Sequence, residues 1–195
     1  MIWSIIQGDG PGRTILQVNA DFTSFRTGPV PPETFRFDPP KNAKLVDSVP
    51  IPGQTGSFLL NQDAPDFELK TLDGEKIRLS ELRGKPVLLS FWASWCPPCR
   101  RELPELAALH DEYRRKGLVI LGINDEGKGT ARNYADKALL PFPTLDDSGR
   151  KAHRLYRVQS IPTVFLIDKD GKIIRFLRGG RSPDSLRAAL GSLGL

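Results

Sequence analysis

Polar and apolar residues alternate in Asp66-Phe67-Glu68-Leu69-Lys70 and again in Lys76-Ile77-Arg78-Leu79, on either side of Asp73-Gly74. That pattern predicts a hairpin. Val87-Leu88-Leu89 running into Phe91-Trp92 is almost wholly apolar and predicts a buried central strand, as does Leu118 to Ile123. Between them Leu103, Leu106, Leu109 and Tyr113 recur at helical spacing over residues 97–116, and Gly117 ends the helix. Pro104 lies inside it and predicts a kink, because proline removes a donor and clashes one turn back. Further helices are predicted around 128–138 and 149–157, followed by strands Thr163 to Asp168 and Lys172 to Leu177 across Asp170-Gly171. A last helix, capped by Ser182 with Pro183 in its first turn, runs toward Leu193. The order ββ, βα, βα, α, ββ, α, with apolar central strands, predicts an α/β fold in three layers.

The first third of the chain reads differently. Residues 13–25 are rich in β-branched and aromatic residues, and Glu33 to Asp38 alternates Phe with polar residues before Pro39-Pro40; two strands of a hairpin are predicted there. A lone hairpin is marginal in water and must lie on something. Residues 49–63 read as linker. Nine of the 17 prolines fall within residues 1–65, which carry a net charge near −1, whereas the remainder carries about +6. The expected organisation is a β-rich appendage over 1–48, a linker over 49–63 and one domain over 64–195.

The pI near 9.4 raises nucleic acid as a partner. The basic residues are interspersed with acids, however, and no aromatic-basic repeat appears, so none is expected. Arg100-Arg101 and Arg114-Arg115-Lys116 are expected on a solvated helix face. No stretch of about 18 apolar residues exists to cross a membrane, and Met1 to Gly8 lacks the charged start and long apolar core of a signal peptide.

Only two cysteines occur, as Trp95-Cys96-Pro97-Pro98-Cys99, directly after the central strand and at the start of the predicted helix. There the unpaired N–H groups and the positive end of the helix dipole favour a thiolate on Cys96, and such surroundings lower a cysteine pKa from about 8.5 into roughly 3.5–7.5. The thiolate, not the thiol, attacks disulfides. A structural zinc site normally needs four protein ligands; a second Cys pair is missing, and His110 and His153 are far apart in sequence, so no metal is expected. Both histidines sit among charged residues and are expected at the surface.

Phe91 to Cys99, Pro104, and Ile161-Pro162-Thr163 leading into a strand together resemble the thioredoxin fold, and within it the extracytoplasmic TlpA-like thiol-disulfide reductases of cytochrome c maturation. The resemblance covers residues 64–193. It implies a three-layer sandwich on a central mixed sheet, with Cys96 as the nucleophile, Cys99 as the resolving thiol, and no cofactor beyond the disulfide they form. It also implies that Pro162 is cis and faces the pair, that the backbone of Ile161 bonds a bound substrate strand, and that Trp95 and Pro97 border that strand. Trp92 reads equally as collar or core. Partners implied are disulfide-bearing proteins and a membrane or thioredoxin-linked electron donor, and the location implied is extracytoplasmic, with cytoplasmic as the alternative. Residues 1–48 resemble the closing strands of a periplasmic lipoprotein-carrier-like β domain.

One departure stands out: ordinary thioredoxins have a buried aspartate six residues before the first cysteine, and this chain has Ser90. In the resembled group an acid on the loop after the next strand takes that part. Asp125 and Glu126 are both placed for it, and Glu126 is preferred. Pro97-Pro98 offers no backbone N–H to a thiolate, which favours a reductant. Two other functions remain open. Ala64-Pro65-Asp66-Phe67 is shared with peroxiredoxins, although their peroxide site needs Thr or Ser where Ala93 stands. A non-catalytic binding module using the pair as a redox-dependent clasp is the other.

Overall fold

Among the described residues seven strands form one mixed sheet, in the order β2 (Lys76–Arg78), β1 (Glu68–Thr71), β5 (Thr144–Asp146), β4 (Val119–Asn124), β3 (Val87–Phe91), β6 (Thr163–Ile167), β7 (Ile173–Arg178). The structure is a computed structural model and describes residues 59–179, 183–191, 193 and 195. The hairpin predicted within 13–38, the linker up to residue 58 and the Ser182 cap lie outside the described residues.

Strands β1 (Glu68–Thr71) and β2 (Lys76–Arg78) pair antiparallel. Their turn is built as Asp73-Gly74 demands: Gly74 adopts φ +100°, and the Thr71 hydroxyl accepts from the N–H groups of Asp73 and Glu75. The central strand β3 (Val87–Phe91) is buried throughout. It pairs parallel to β4 (Val119–Asn124) and antiparallel to β6 (Thr163–Ile167), which in turn pairs with β7 (Ile173–Arg178). Strand β5 (Thr144–Asp146) lies parallel to β4 and antiparallel to β1.

β5 corrects the element order expected from sequence. With only three residues after Pro143, it has no room to display an alternation, and what specifies it is the vacant edge of β4. Helices α1 (Pro97–Tyr113), α2 (Lys128–Lys137), α3 (Lys151–Leu155) and α4 (Pro183–Gly191) fall near their predicted positions, and α1 continues through Pro104.

Both faces of the sheet are covered, as three layers require. The period of two in β3 sends Leu88 and Trp92 to one face, where Leu103, Leu106 and Leu109 of α1 and Leu186 and Leu190 of α4 pack. Val87, Leu89 and Phe91 face the other side with Phe67, Phe165 and, from and just beyond α3, Ala152 and Tyr156. Leu103, Leu106 and Leu109 are at most 1% exposed, so the helical spacing in the sequence marks the buried stripe of α1.

Candidate active site

The sheet register decides what surrounds the cysteines. Phe91, the last residue of β3, lies opposite Thr163 on β6 and opposite Ile123 on β4. The chain leaving β3 is therefore flanked on one side by Ile161-Pro162 and on the other by the turn Asn124 to Gly127. The Ile161–Pro162 bond is cis. Ile161 packs against the apolar cluster that contains Trp92, Cys96 and Cys99, and the N–H of Gly179 donates to the Pro162 carbonyl at 2.9 Å.

Cys96 is the residue that caps α1. Its backbone is extended, and its Sγ accepts a hydrogen bond from the N–H of Cys99 at 3.2 Å. With Pro97 and Pro98 at the first helical positions, the N–H of Cys99 is the first that the helix mouth can offer to that sulfur. The two cysteines form a disulfide, and both are buried, Cys96 at 3% and Cys99 at 1% exposure. Trp95 beside them is 68% exposed, the most solvent-facing of the aromatic groups around the pair. Pro97 is also exposed, whereas Pro162 is buried. Trp92 belongs to the core, 1% exposed, with its ring tilted against Tyr134 at 5.5 Å. Ser90 is buried at the position where thioredoxins carry an acid.

The two acids that the sequence left in competition separate in space. Glu126 reaches the cysteine loop: its carboxylate accepts from both the N–H and the hydroxyl of Ser94, two residues before Cys96. Asn124 braces the same carboxylate through its side-chain amide at 2.9 Å and accepts from the N–H of Glu126 at 2.8 Å. Asp125 turns the other way, into an ion pair with Arg150.

Sequence reasoning placed both histidines at the surface, and the structure corrects this. His110 is half-buried, its ring tilted against Phe142 and its Nδ1 at 3.3 Å from Asp111. His153 is 3% exposed, edge-on to Phe91 with centroids 5.0 Å apart, and its Nδ1 is 2.7 Å from Asp147. In the five residues of α3 there is too little helix for periodicity to separate the buried side of His153 from the exposed side of Lys151 and Arg154. Burial pushes the Asp147 carboxyl up, but hydrogen bonds from the His153 ring and from the N–H groups of His153 and Ala152 outweigh it and hold the carboxyl below its ordinary range. Sequence reading also passed over Glu102, a buried acid one turn beyond Cys99 on α1. Its signal was available, since spacing by three places both on one face of the helix.

This arrangement can carry out thiol-disulfide exchange. A sulfur caps a helix, a second sulfur lies one turn in, an exposed tryptophan precedes them, the residue before a cis-proline packs against their apolar cluster, and a carboxylate is hydrogen-bonded to the loop between strand and helix. Among the described residues no cluster of His, Cys, Asp and Glu could hold a metal ion, and no helix is long and apolar enough to cross a membrane.

Comparison with known proteins agrees with this geometry. The sequence profile of the AhpC/TSA family matches residues 60–176. The chain is 38% identical over 132 residues to the thiol-disulfide oxidoreductase ResA of Bacillus anthracis, covering 67% of this chain and 76% of that protein. Its counterpart in Geobacillus kaustophilus is also 38% identical, over 131 residues. Among solved structures, the exposed lipoprotein thioredoxin Etrx1 of Streptococcus pneumoniae superposes with a TM-score of 0.59 at 34% identity, covering 66% of this chain and 100% of that one. A secreted disulfide oxidoreductase of Mycobacterium tuberculosis superposes with a TM-score of 0.60 at 27% identity, covering 65% and 96%.

Proposed function

Because the chain belongs to the AhpC/TSA family and is a thiol-disulfide oxidoreductase like its ResA relatives, we propose that it reduces disulfides of protein substrates through Cys96 and Cys99. The observation that carries this reading is the disulfide at the mouth of α1, with Cys96 as the capping sulfur.

In the reduced enzyme the Cys96 thiolate attacks one sulfur of a substrate disulfide. A bond forms between Cys96 and that sulfur while the substrate S–S bond breaks, and the departing substrate thiolate takes up a proton. Cys99, deprotonated in its turn, attacks the Cys96 sulfur and releases the second substrate thiol. Two electrons have then passed to the substrate, and the enzyme is left with the Cys96–Cys99 disulfide seen here. A thiol or dithiol donor restores it by the reverse exchange. The donor that fits the resemblance is a membrane or thioredoxin-linked reductase.

Glu126 is the acid/base in this scheme. Its hydrogen bonds to Ser94 tie it to the cysteine loop, and it accepts the Cys99 proton during resolution. Glu102 is the second candidate for that proton, favoured by its burial one turn past Cys99. Trp95, Pro97, Ile161 and Pro162 receive the substrate strand: the exposed indole supplies apolar contact, and the backbone before Pro162 supplies strand-like pairing. The location is extracytoplasmic, which is supported by relatives described as secreted and as an exposed lipoprotein.

Reduction of insulin disulfides with a dithiol donor tests the activity, and trapping tests the roles. Cys99→Ala is expected to accumulate mixed disulfides with several proteins through Cys96, and Cys96→Ala to accumulate none. Failure of the intact protein to turn over insulin, with a single trapped partner, would instead support the clasp. A midpoint potential toward the thioredoxin end of the roughly −270 to −120 mV span fits the reductant, and one near the upper end reverses the direction.

A further inference from the structure

The Asn124 to Gly127 turn is gripped from two sides. On the cysteine side Glu126 holds Ser94. On the far side, the N–H of Asp147 donates to the Asn124 carbonyl at 2.8 Å, and Asp125 pairs with Arg150. His153 stands between these two aspartates. Its Nδ1 lies 2.7 Å from Asp147 Oδ2, and its Nε2 lies 3.7 Å from Asp125 Oδ2.

Imidazole is costly to bury unless its nitrogens find partners, and nothing in the exchange reaction uses this one. Its surroundings are settled by the packing. The carboxylate of Asp147 only accepts, so Nδ1 carries the proton there. The ring's Nε2 lies beyond hydrogen-bond distance from Asp125. Arg150 is the charged partner of Asp125. From β3 the ring meets Phe91, which carries no charge, and the neighbouring Arg154 is directed to the Gly149 carbonyl.

We propose that His153 is a positioning residue for the exchange reaction. Through Asp147, whose N–H holds the Asn124 carbonyl, it fixes the turn that carries Glu126, and so sets how Glu126 meets Ser94 and the cysteine pair. This rests on the reading of Glu126 as the acid/base.

The test is the pH profile of Cys96 alkylation by iodoacetamide in the reduced full chain, with insulin turnover measured on the same samples. His153→Gln keeps an amide donor for Asp147, whereas His153→Phe removes it. Residues in one hydrogen-bond network commonly couple by a factor of about three or more, which is about half a pH unit. His153→Phe is expected to displace the profile by about that amount and to lower kcat about threefold with KM unchanged, and His153→Gln to restore the parent profile. In a Glu126→Gln background His153→Phe is expected to add no further displacement. Should Glu126→Gln displace the profile while His153→Phe, folded by near-ultraviolet circular dichroism, superimposes on the parent, the proposal is overturned and Glu126 stands. A displacement that persists undiminished in the Glu126→Gln background overturns it as well. A Glu126→Gln profile identical to the parent removes Glu126, and the proposal with it.

Discussion

Gly122 sits in β4 beneath the site, and adding one methyl group there tests whether the wall under the cysteines is as tightly packed as described. A Cβ at this position would lie 2.8 Å from Trp92 Nε1 and 3.0 Å from Thr144 Oγ1, closer than van der Waals contact permits. Neither neighbour can yield cheaply. Trp92 is 1% exposed and braced by Tyr134, and Thr144 is buried on β5 between β4 and β1. Overpacking of this kind costs about 1–3 kcal/mol, and for a domain of this size that lowers the melting temperature by roughly 3–12 °C. Gly129→Ala is the internal control: it is the same chemical change in α2, with nothing within 4 Å of the added Cβ. It should be neutral or stabilising by up to about 1 kcal/mol, since alanine is the better helix former. Urea denaturation of both variants reads the difference directly. A Gly122→Ala protein as stable as the parent would refute the close approach of Trp92 to the strand, and with it the claim that the tryptophan is a fixed wall under the cysteines.

Other expectations follow from single features. Leu106→Ala, at the buried centre of α1, should cost about 2–5 kcal/mol by leaving a cavity, read by the same denaturation. Asp147→Asn should cost about 1–3 kcal/mol by leaving one of its buried N–H donors mispaired. Because that carboxyl is held below its ordinary value of 3.8, its charge stabilises the fold above that pH and the contribution is lost as pH falls through the lower folded value. Parent stability should therefore decline in strong acid more steeply than that of the asparagine variant, as melting curves against pH will show. Trp95→Ala, at an exposed position, should change stability by no more than about 0.5 kcal/mol yet raise KM for protein disulfides, and a steady-state comparison of insulin with a small disulfide separates these effects.

What could be read from the chain beforehand was whatever a local pattern encodes. The cysteine pair, its place between a buried strand and a helix, and the apolar stripe Leu103, Leu106, Leu109 and Tyr113 all follow from spacing, and burial agrees. The turns at Asp73-Gly74 and Asp170-Gly171 were legible for the same reason, and both glycines take positive φ. What escaped depends on neighbours far away in sequence. β5 is a strand because β4 and β1 leave a gap for it. His153 is buried because Asp147 and Asp125 converge on it from outside α3, and Glu126 parts from Asp125 because successive residues in a turn face different partners. Each of these is a tertiary contact that no window of sequence contains.

The pH dependence of Cys96 in the reduced protein, followed by thiolate absorbance and by alkylation rate, bears most directly on the whole account. If Cys96 caps α1 as an anion, both signals should rise with a common midpoint well below the ordinary cysteine value of about 8.5 and vanish in Cys96→Ser. A midpoint at or above that value, or reduced protein that holds zinc on the pair and resists alkylation, would contradict it.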